Sequence, residues 1–339
     1  MPDLNITWFL LIGVLFTVYA ILDGFDLGVG ILHMFSKTDD EKRLAMSSIG
    51  PVWDGNEVWL LTGVGALFAA FPRAYATIFS GFYIIIMFLL FSLILRAVSL
   101  EFRSKLPMLW WRSNWDTSFH ISSLMTSLLL GVALGNIIRG IPLNIEGEFV
   151  GTLVTLLTPY SLLIGATTAA LFSMHGAIYL LMKTEGDFQA KIRRWAMNAF
   201  ALFTACFVIA VAATLFGIPK MFEVFRSKPV LLAIPVINLV LVANIIREIR
   251  AGRDLRAFLS SSAMICCLMG LVGLGIYPNF VISVPDPEFN LTIYNASSSQ
   301  MTLGIMLKIA LIGLPLVLLY TAYVYRVFRG KVKLDSSSY

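Results

Sequence analysis

Long apolar stretches recur along the whole chain, and they constrain its fold more than any other feature. A helix that crosses the hydrocarbon core of a bilayer needs about 20 mostly apolar residues. The chain has 339 residues, of which 58% are hydrophobic and 13% charged, whereas a soluble domain carries roughly a quarter charged residues. The sequence therefore predicts an all-α, polytopic membrane protein with nine spans: Thr7–Met34, Gly50–Phe71, Tyr75–Ala97, Ser118–Ile138, Tyr160–Met182, Ala196–Phe216, Val230–Ile246, Phe258–Tyr277 and Met301–Val327.

The basic residues give these spans an orientation. If nine spans alternate from an outer N-terminus, the outer loops hold only Arg73, Arg139, Lys220, Arg226 and Lys228. The inner side then holds Lys37, Lys42, Arg43, Arg96, Arg103, Lys105, Arg112, Lys183, Lys191, Arg193, Arg194, Arg247, Arg250, Arg253, Arg256, Arg326, Arg329, Lys331 and Lys333. Because cytoplasmic loops carry the excess of Lys and Arg, we expect the N-terminus outside and the C-terminus in the cytoplasm.

Acidic residues lie inside the first two spans, where charge is costly. Asp23 and Asp26 are three residues apart in "YAILDGFDLGVGIL", and Asp54 and Glu57 repeat that spacing in "WDGNEVW". Residues three apart share one helix face. An ionised carboxylate at the bilayer centre costs at least about 2.5–3.5 kcal/mol. A short loop joins the two spans, so we expect the four carboxylates to gather near the inner half of one helical hairpin.

Two interpretations of these acids stay open. In the first, they pair with buried basic groups and hold the helices in register, and Arg96 with Asp116 is a possible partner set. In the second, they form a proton route, because carboxylates held in a low dielectric take and pass protons near neutral pH. Both interpretations can hold for the same site.

The sequence contains few residues for a cofactor or metal. Of its three histidines, only His175 lies at mid-span where it could ligate a haem, and a hydrogen-bonded core histidine is the favoured interpretation. Trp53 and Trp59 flank the acidic pair of the second span. They suit an interfacial aromatic belt, and they could also line a dry passage or stack on a quinone ring. The net charge of +5 calls for no nucleic-acid partner.

Several segments together resemble subunit II of the cytochrome bd-type quinol oxidases. They are "LDGFDLGVG", "GPVWDGNEVWLLTGVGALFAAFP", "FSGFY", "LEFRSK" and "NASSSQMTLGIM…LLYTAY", in that order along the chain. The similarity covers nearly all of the chain, and the second span carries its most specific part.

The resemblance implies a fold, an activity and partners. The fold is one integral membrane domain over residues 1–339, with helices 1–4 at about 7–138 and helices 5–8 at about 158–277 as two four-helix bundles, and helix 9 at about 300–328. The complex oxidises quinol and reduces dioxygen in the bacterial cytoplasmic membrane. Subunit I of the complex holds haems b558, b595 and d, and subunit II binds none. Small single-helix accessory subunits and a structural quinone occur in some members.

The resemblance also implies roles for individual residues. The matching positions place Asp54 on a proton route towards the haems, with Asp23, Asp26 and Glu57 near it. Glu57 is glutamine in some relatives, which weakens the case for its charge. Trp59, with Trp53 nearby, matches a proposed dioxygen channel or quinone vicinity, and Arg96 and Asp116 match a charged set beside the route.

Two other classes of function also fit a membrane protein with intramembrane acids. A proton- or cation-coupled transporter would use such acids together with glycine-rich helices, although no matching pair of broken helices appears in two halves of the sequence. A purely structural assembly subunit would use the acids only to orient helices. Isolation with a haem-bearing partner would distinguish the oxidase from both.

Overall fold

The computed structural model describes residues 3–334, and helices form most of that range. The α-helices are α1 (Leu4–Leu32), α2 (Asp39–Ile49), α3 (Trp53–Ala70), α4 (Pro72–Gly81), α5 (Tyr83–Phe102), α6 (Leu109–Arg139), α7 (Leu153–Leu156), α8 (Pro159–Lys183), α9 (Gly186–Gly217), α10 (Glu223–Ser227), α11 (Ala233–Arg250), α12 (Asp254–Ile276) and α13 (Gln300–Val327). Two short strands, β1 (Asn279–Val281) and β2 (Leu291–Thr292), pair antiparallel between α12 and α13.

Eight of the described helices are long and apolar enough to cross a membrane: α1, α5, α6, α8, α9, α11, α12 and α13. They confirm a polytopic membrane protein. The predicted span Gly50–Phe71 corresponds to α3, which is 18 residues long and is not among the eight. Its first turns carry Asp54, Asn56 and Glu57, and these polar side chains lower its mean hydropathy.

The predicted bounds of the third span, Tyr75–Ala97, are wrong. Pro72 begins a separate ten-residue helix, α4, which ends at Gly81, and α5 then begins at Tyr83. Proline is favoured in the first turn of a helix, because a backbone N–H at that position would have no partner within the helix. The spanning helix therefore starts later than the apolar pattern suggested, and it continues to Phe102.

Helices α1 and α8 cross at the centre of the molecule. A methyl group on Gly28 would overlap the carbonyl oxygen of Phe172, and one on Gly176 would overlap the backbone of Gly28. Small residues allow helix backbones in a membrane to approach this closely. The main cluster of buried apolar residues includes members of α1, α2, α8, α9, α11 and α12, so this crossing joins the two halves of the chain.

Helix α13 lies on the outside of the other helices, against α1 and α3. Leu303 is its one buried residue among those described. Near its start, Trp8 Nε1 donates to the Leu303 carbonyl oxygen at 3.0 Å, and Gln300 Nε2 donates to Asn5 Oδ1 at 2.6 Å. Beyond its last turn, the Val332 N–H donates to the Lys183 carbonyl oxygen. The helix is therefore held at both ends and leaves most of its surface exposed.

The loop between the first two predicted spans contains the amphipathic helix α2. Thr38 caps this helix by accepting a hydrogen bond from the Glu41 N–H. Glu41 forms an ion pair with Lys191 of α9 at 2.7 Å. Burial raises the pKa of the Glu41 carboxyl, but hydrogen bonds from Lys191 and from the Lys37 N–H outweigh it and bring that pKa below its ordinary value. This pair fixes α2 against α9.

Candidate site of buried carboxylates

Two of the four predicted acids, Asp23 and Glu57, meet at Arg96 between α1, α3 and α5, and a third, Asp26, lies one helical turn away. Asp23 is fully buried, and its Oδ1 lies 2.6 Å from Arg96 Nη1. Glu57 is partly buried, and its Oε2 accepts from Arg96 Nη2 at 3.0 Å. One buried guanidinium thus faces two carboxylates, an arrangement that offsets much of the cost of burying the charges.

Asp26 has a different environment, although it is only one turn from Asp23. Its side chain is 1% exposed, and its Oδ2 accepts a hydrogen bond of 2.7 Å from Asn56 Nδ2. Asn56 Oδ1 in turn accepts a hydrogen bond of 2.9 Å from the Tyr325 hydroxyl. Within residues 3–334, no cationic side chain lies within ion-pair distance of Asp26. Asp26 is therefore a buried carboxylate with a neutral hydrogen-bond donor.

Asp54 lies at the exposed first turn of α3, one turn before Glu57. No ion pair to it occurs in the described part of the chain. The positive end of the helix dipole stabilises an anion at this position by a few tenths of a kcal/mol. Asp54 therefore stands at the surface of this chain, at the end of α3 that also carries Asn56 and Glu57.

Asp116 belongs to a second cluster, separate from that of Arg96. Its carboxylate lies 2.6 Å from His33 Nε2, 2.9 Å from Lys42 Nζ and 2.6 Å from Arg103 Nε. Arg103 also pairs with Asp39 at 2.7 Å. The cluster ties together the ends of α1 and α5, helix α2 and the start of α6. The expected grouping of Arg96 with Asp116 is wrong for their contacts, because Arg96 pairs with Asp23 and Glu57.

Sequence reasoning missed Arg103 as the main partner of Asp116. Arg103 follows Arg96 by seven residues, which places both on one face of a helix, and it is 1% exposed. That spacing within "RAVSLEFR" was the available signal. No comparable signal existed for His33 or Lys42, which reach Asp116 from 83 and 74 residues away in the sequence.

The two tryptophans that flank the acids are buried within this chain. Trp59 is 4% exposed and packs with Leu15 and Tyr19 of α1. Trp53 is 9% exposed and belongs to the main core cluster. Both therefore hold α3 against its neighbours, in addition to any part in a channel.

His175 is a hydrogen-bonded core histidine, as the favoured interpretation predicted. Its Nε2 bonds to the Ile21 carbonyl oxygen at 3.0 Å, so its hydrogen lies on that nitrogen. Its Nδ1 then accepts from the Ser261 hydroxyl at 2.7 Å. Both ring nitrogens are thus engaged, and neither fits a haem iron. Among the described residues, no group of three His, Cys, Asp or Glu side chains could hold a metal ion.

Comparison with known proteins gives one consistent family. The family model described as "Cytochrome bd terminal oxidase subunit II" matches residues 4–328. The chain is 36% identical over 360 residues to cytochrome bd-I ubiquinol oxidase subunit 2 of Escherichia coli K12, covering 97% of this chain and 95% of the relative. It is 34% identical over 333 residues to cytochrome bd ubiquinol oxidase subunit 2 of Bacillus subtilis, covering 98% of each.

A solved structure has the same fold. The structure of bd oxidase from Geobacillus thermodenitrificans includes a chain that matches with a TM-score of 0.80 at 15% sequence identity. The match covers 96% of this chain and 98% of that one. At this identity the likeness supports the helical architecture alone.

Proposed function

The chain belongs to the family of cytochrome bd terminal oxidase subunit II, and we propose that within that oxidoreductase complex it carries protons on the carboxylates of Asp54 and Asp26. The protons come from the cytoplasm, while quinol releases its electrons on the outer side, so that charge is separated across the bacterial cytoplasmic membrane. Haems b558, b595 and d belong to the partner, subunit I. The engaged nitrogens of His175 support a haem-free role for this chain.

The environment of Asp26 is the observation that carries the proposal. Arg96 lies against Asp23 and Glu57, so these two acids form a fixed ionic frame. Asp26 is buried with a neutral donor, and Asp54 is exposed at the helix end. These two carboxylates therefore suit proton transfer, with Asp54 receiving protons at the surface and Asp26 holding them inside.

Helices α3 and α13 form the face that meets subunit I in this proposal. They pack against each other, and each exposes an ionisable side chain, Asp54 on α3 and Lys308 on α13. Ionisable side chains at membrane depth face protein or water far more often than lipid. A partner chain over this face would shield both groups and bring Asp54 towards the redox centres.

Nine spans and an outer N-terminus also belong to the proposal. The two ends of α3 are hydrogen-bonded near the two ends of α13, which is one of the eight long apolar helices. Asn56 bonds to Tyr325 at one end, and at the other the Ala70 carbonyl accepts from the Ser298 N–H at 2.8 Å. Because α3 runs from one end of this membrane-spanning helix to the other, α3 also crosses the membrane in this proposal, which gives nine spans.

Cysteine labelling tests this topology. In a variant without Cys206, Cys266 and Cys267, a cysteine at Glu146 is expected to react with a membrane-impermeant maleimide in intact spheroplasts. A cysteine at Asp40 is expected to react only after permeabilisation. Three membrane crossings, α3, α5 and α6, separate the two positions along the chain and place them on opposite sides. If both react from the same side, α3 does not cross the membrane, and a reversed pattern would contradict the orientation.

Purification tests the function itself. A tag on this chain is expected to isolate a coloured complex whose spectrum contains the haem bands and which consumes oxygen with quinol as donor. Dissociation of the subunits should leave all haem with the partner. A colourless single chain that binds a transported solute would instead support the transporter, and haem remaining on this chain would contradict the haem-free assignment.

A further inference from the structure

Two hydrogen bonds connect the last helix of the chain to the buried carboxylate of Asp26. The Tyr325 hydroxyl of α13 donates to Asn56 Oδ1 at 2.9 Å, and Asn56 Nδ2 donates to Asp26 Oδ2 at 2.7 Å. Asn56 is 2% exposed. The amide is therefore held between a phenol on one side and a carboxylate on the other, and its nitrogen also donates a longer bond of 3.5 Å to the Leu22 carbonyl oxygen.

The chemistry of an amide gives this arrangement a direction. The oxygen of Asn56 only accepts hydrogen bonds and its nitrogen only donates. The Tyr325 hydroxyl donates to the oxygen, which turns the nitrogen towards Asp26. An ionised carboxylate only accepts, so the observed orientation suits ionised Asp26. The opposite orientation would set the amide oxygen against a carboxylate oxygen, which is repulsive unless Asp26 carries a proton.

We infer that Tyr325 is a positioning residue which, through the Asn56 amide, couples its own hydrogen bonding to the protonation of Asp26. When Asp26 gains a proton on Oδ1, rotation of the carboxyl group brings the new O–H to Asn56, and it donates to the Asn56 oxygen after the amide turns. The Asn56 nitrogen then donates to the Tyr325 oxygen. When Asp26 passes the proton on, the first orientation returns. The amide and the phenol keep all their own protons throughout.

The second carboxylate oxygen of Asp26 also supports a coupling between the orientation of Asn56 and the protonation of Asp26. Asp26 Oδ1 is buried and has no hydrogen-bond partner among the described residues. Buried polar atoms usually have one. A free lone pair beside a switchable amide is what an arriving proton requires. This inference rests on the proposed proton route, because it assigns Tyr325 and Asn56 to the setting of one of its acids.

The test compares the same substitution at two tyrosines in the assembled oxidase. Tyr325→Phe removes the hydroxyl that holds Asn56, whereas Tyr83→Phe removes an exposed hydroxyl at the start of α5. Infrared difference spectroscopy gives the readout, using the carboxyl stretching band that Asp26→Asn abolishes. Tyr325→Phe is expected to shift that band and to lower the maximal rate by about 2- to 10-fold, as for loss of one hydrogen bond, with the KM for quinol unchanged. Tyr83→Phe should change none of these.

A double-mutant comparison shows whether Tyr325 acts through Asn56. In an Asn56→Ser background, Tyr325→Phe is expected to cause no further loss of rate, whereas two independent effects would multiply. Multiplying losses, or an unmoved band in Tyr325→Phe, would overturn the positioning role and leave the route intact. A normal rate in Asp26→Asn would instead refute the passage of protons through Asp26.

Discussion

Asp54→Asn is expected to lower quinol-driven oxygen consumption by on the order of 100-fold, as for loss of a positioned proton-transfer group. Asp54 is exposed and forms no ion pair within the described residues, so the amide should not disturb folding. Only a few tenths of a kcal/mol of helix-dipole stabilisation would be lost. Oxygen uptake by the purified complex, measured at equal haem content, reports the effect.

Asp40→Asn provides the matched control. Asp40 is also an exposed aspartate in the first turn of a helix, α2, which precedes α3 along the chain. Its substitution should leave the rate within a factor of two. If Asp54→Asn keeps the normal rate with normal haem content, Asp54 is not part of the route. If haem is lost, Asp54 serves assembly instead.

Among substitutions of the acidic residues described above, Asp116→Asn is expected to lower the free energy of unfolding most. The substitution removes the charge that faces His33, Lys42 and Arg103. Among residues 3–334, it leaves the half-exposed Asp39 as the remaining ion-pair partner of the buried Arg103. Removing one partner of a buried ion pair typically costs about 3–5 kcal/mol. The midpoint temperature of unfolding in detergent, followed by the loss of helical circular dichroism, should fall sharply.

Asp254→Asn is the control for this effect. Asp254 forms an ion pair with Arg193 at 3.0 Å, but the two side chains are 14% and 30% exposed. Such pairs near the surface contribute about 1 kcal/mol or less. The control should therefore change the midpoint little. Equal midpoints for the two variants would show that the Asp116 cluster does not hold α1, α2, α5 and α6 together.

Local sequence patterns predicted part of this site well. The three-residue spacing of Asp23 and Asp26, and the hairpin that brings Glu57 beside them, are set by helix geometry and a connecting loop. Helix periodicity does not determine which side chains meet across the bundle. Asn56 and Tyr325 are 269 residues apart in the sequence, and their contact depends on how α13 returns to α3.

The errors have equally specific causes. The third span began too early because Pro72 starts a new helix within a continuous apolar run. Arg96 and Asp116 are expected from the sequence to form one charged set because both lie near one loop, whereas the fold turns Arg96 towards α1 and α3. Exposure at Asp54 could not be predicted either, because the apolar residues that follow it suggested a more buried helix.

Time-resolved electrometry on reconstituted oxidase measures proton delivery through Asp54 itself. When the fully reduced complex in proteoliposomes reacts with oxygen, a proton drawn through the proposed route should produce a voltage step. We expect this step to be strongly slowed in Asp54→Asn and normal in Asp40→Asn, while oxygen binding proceeds at the same rate in both. A voltage step of normal rate and size in Asp54→Asn would contradict a proton route through Asp54.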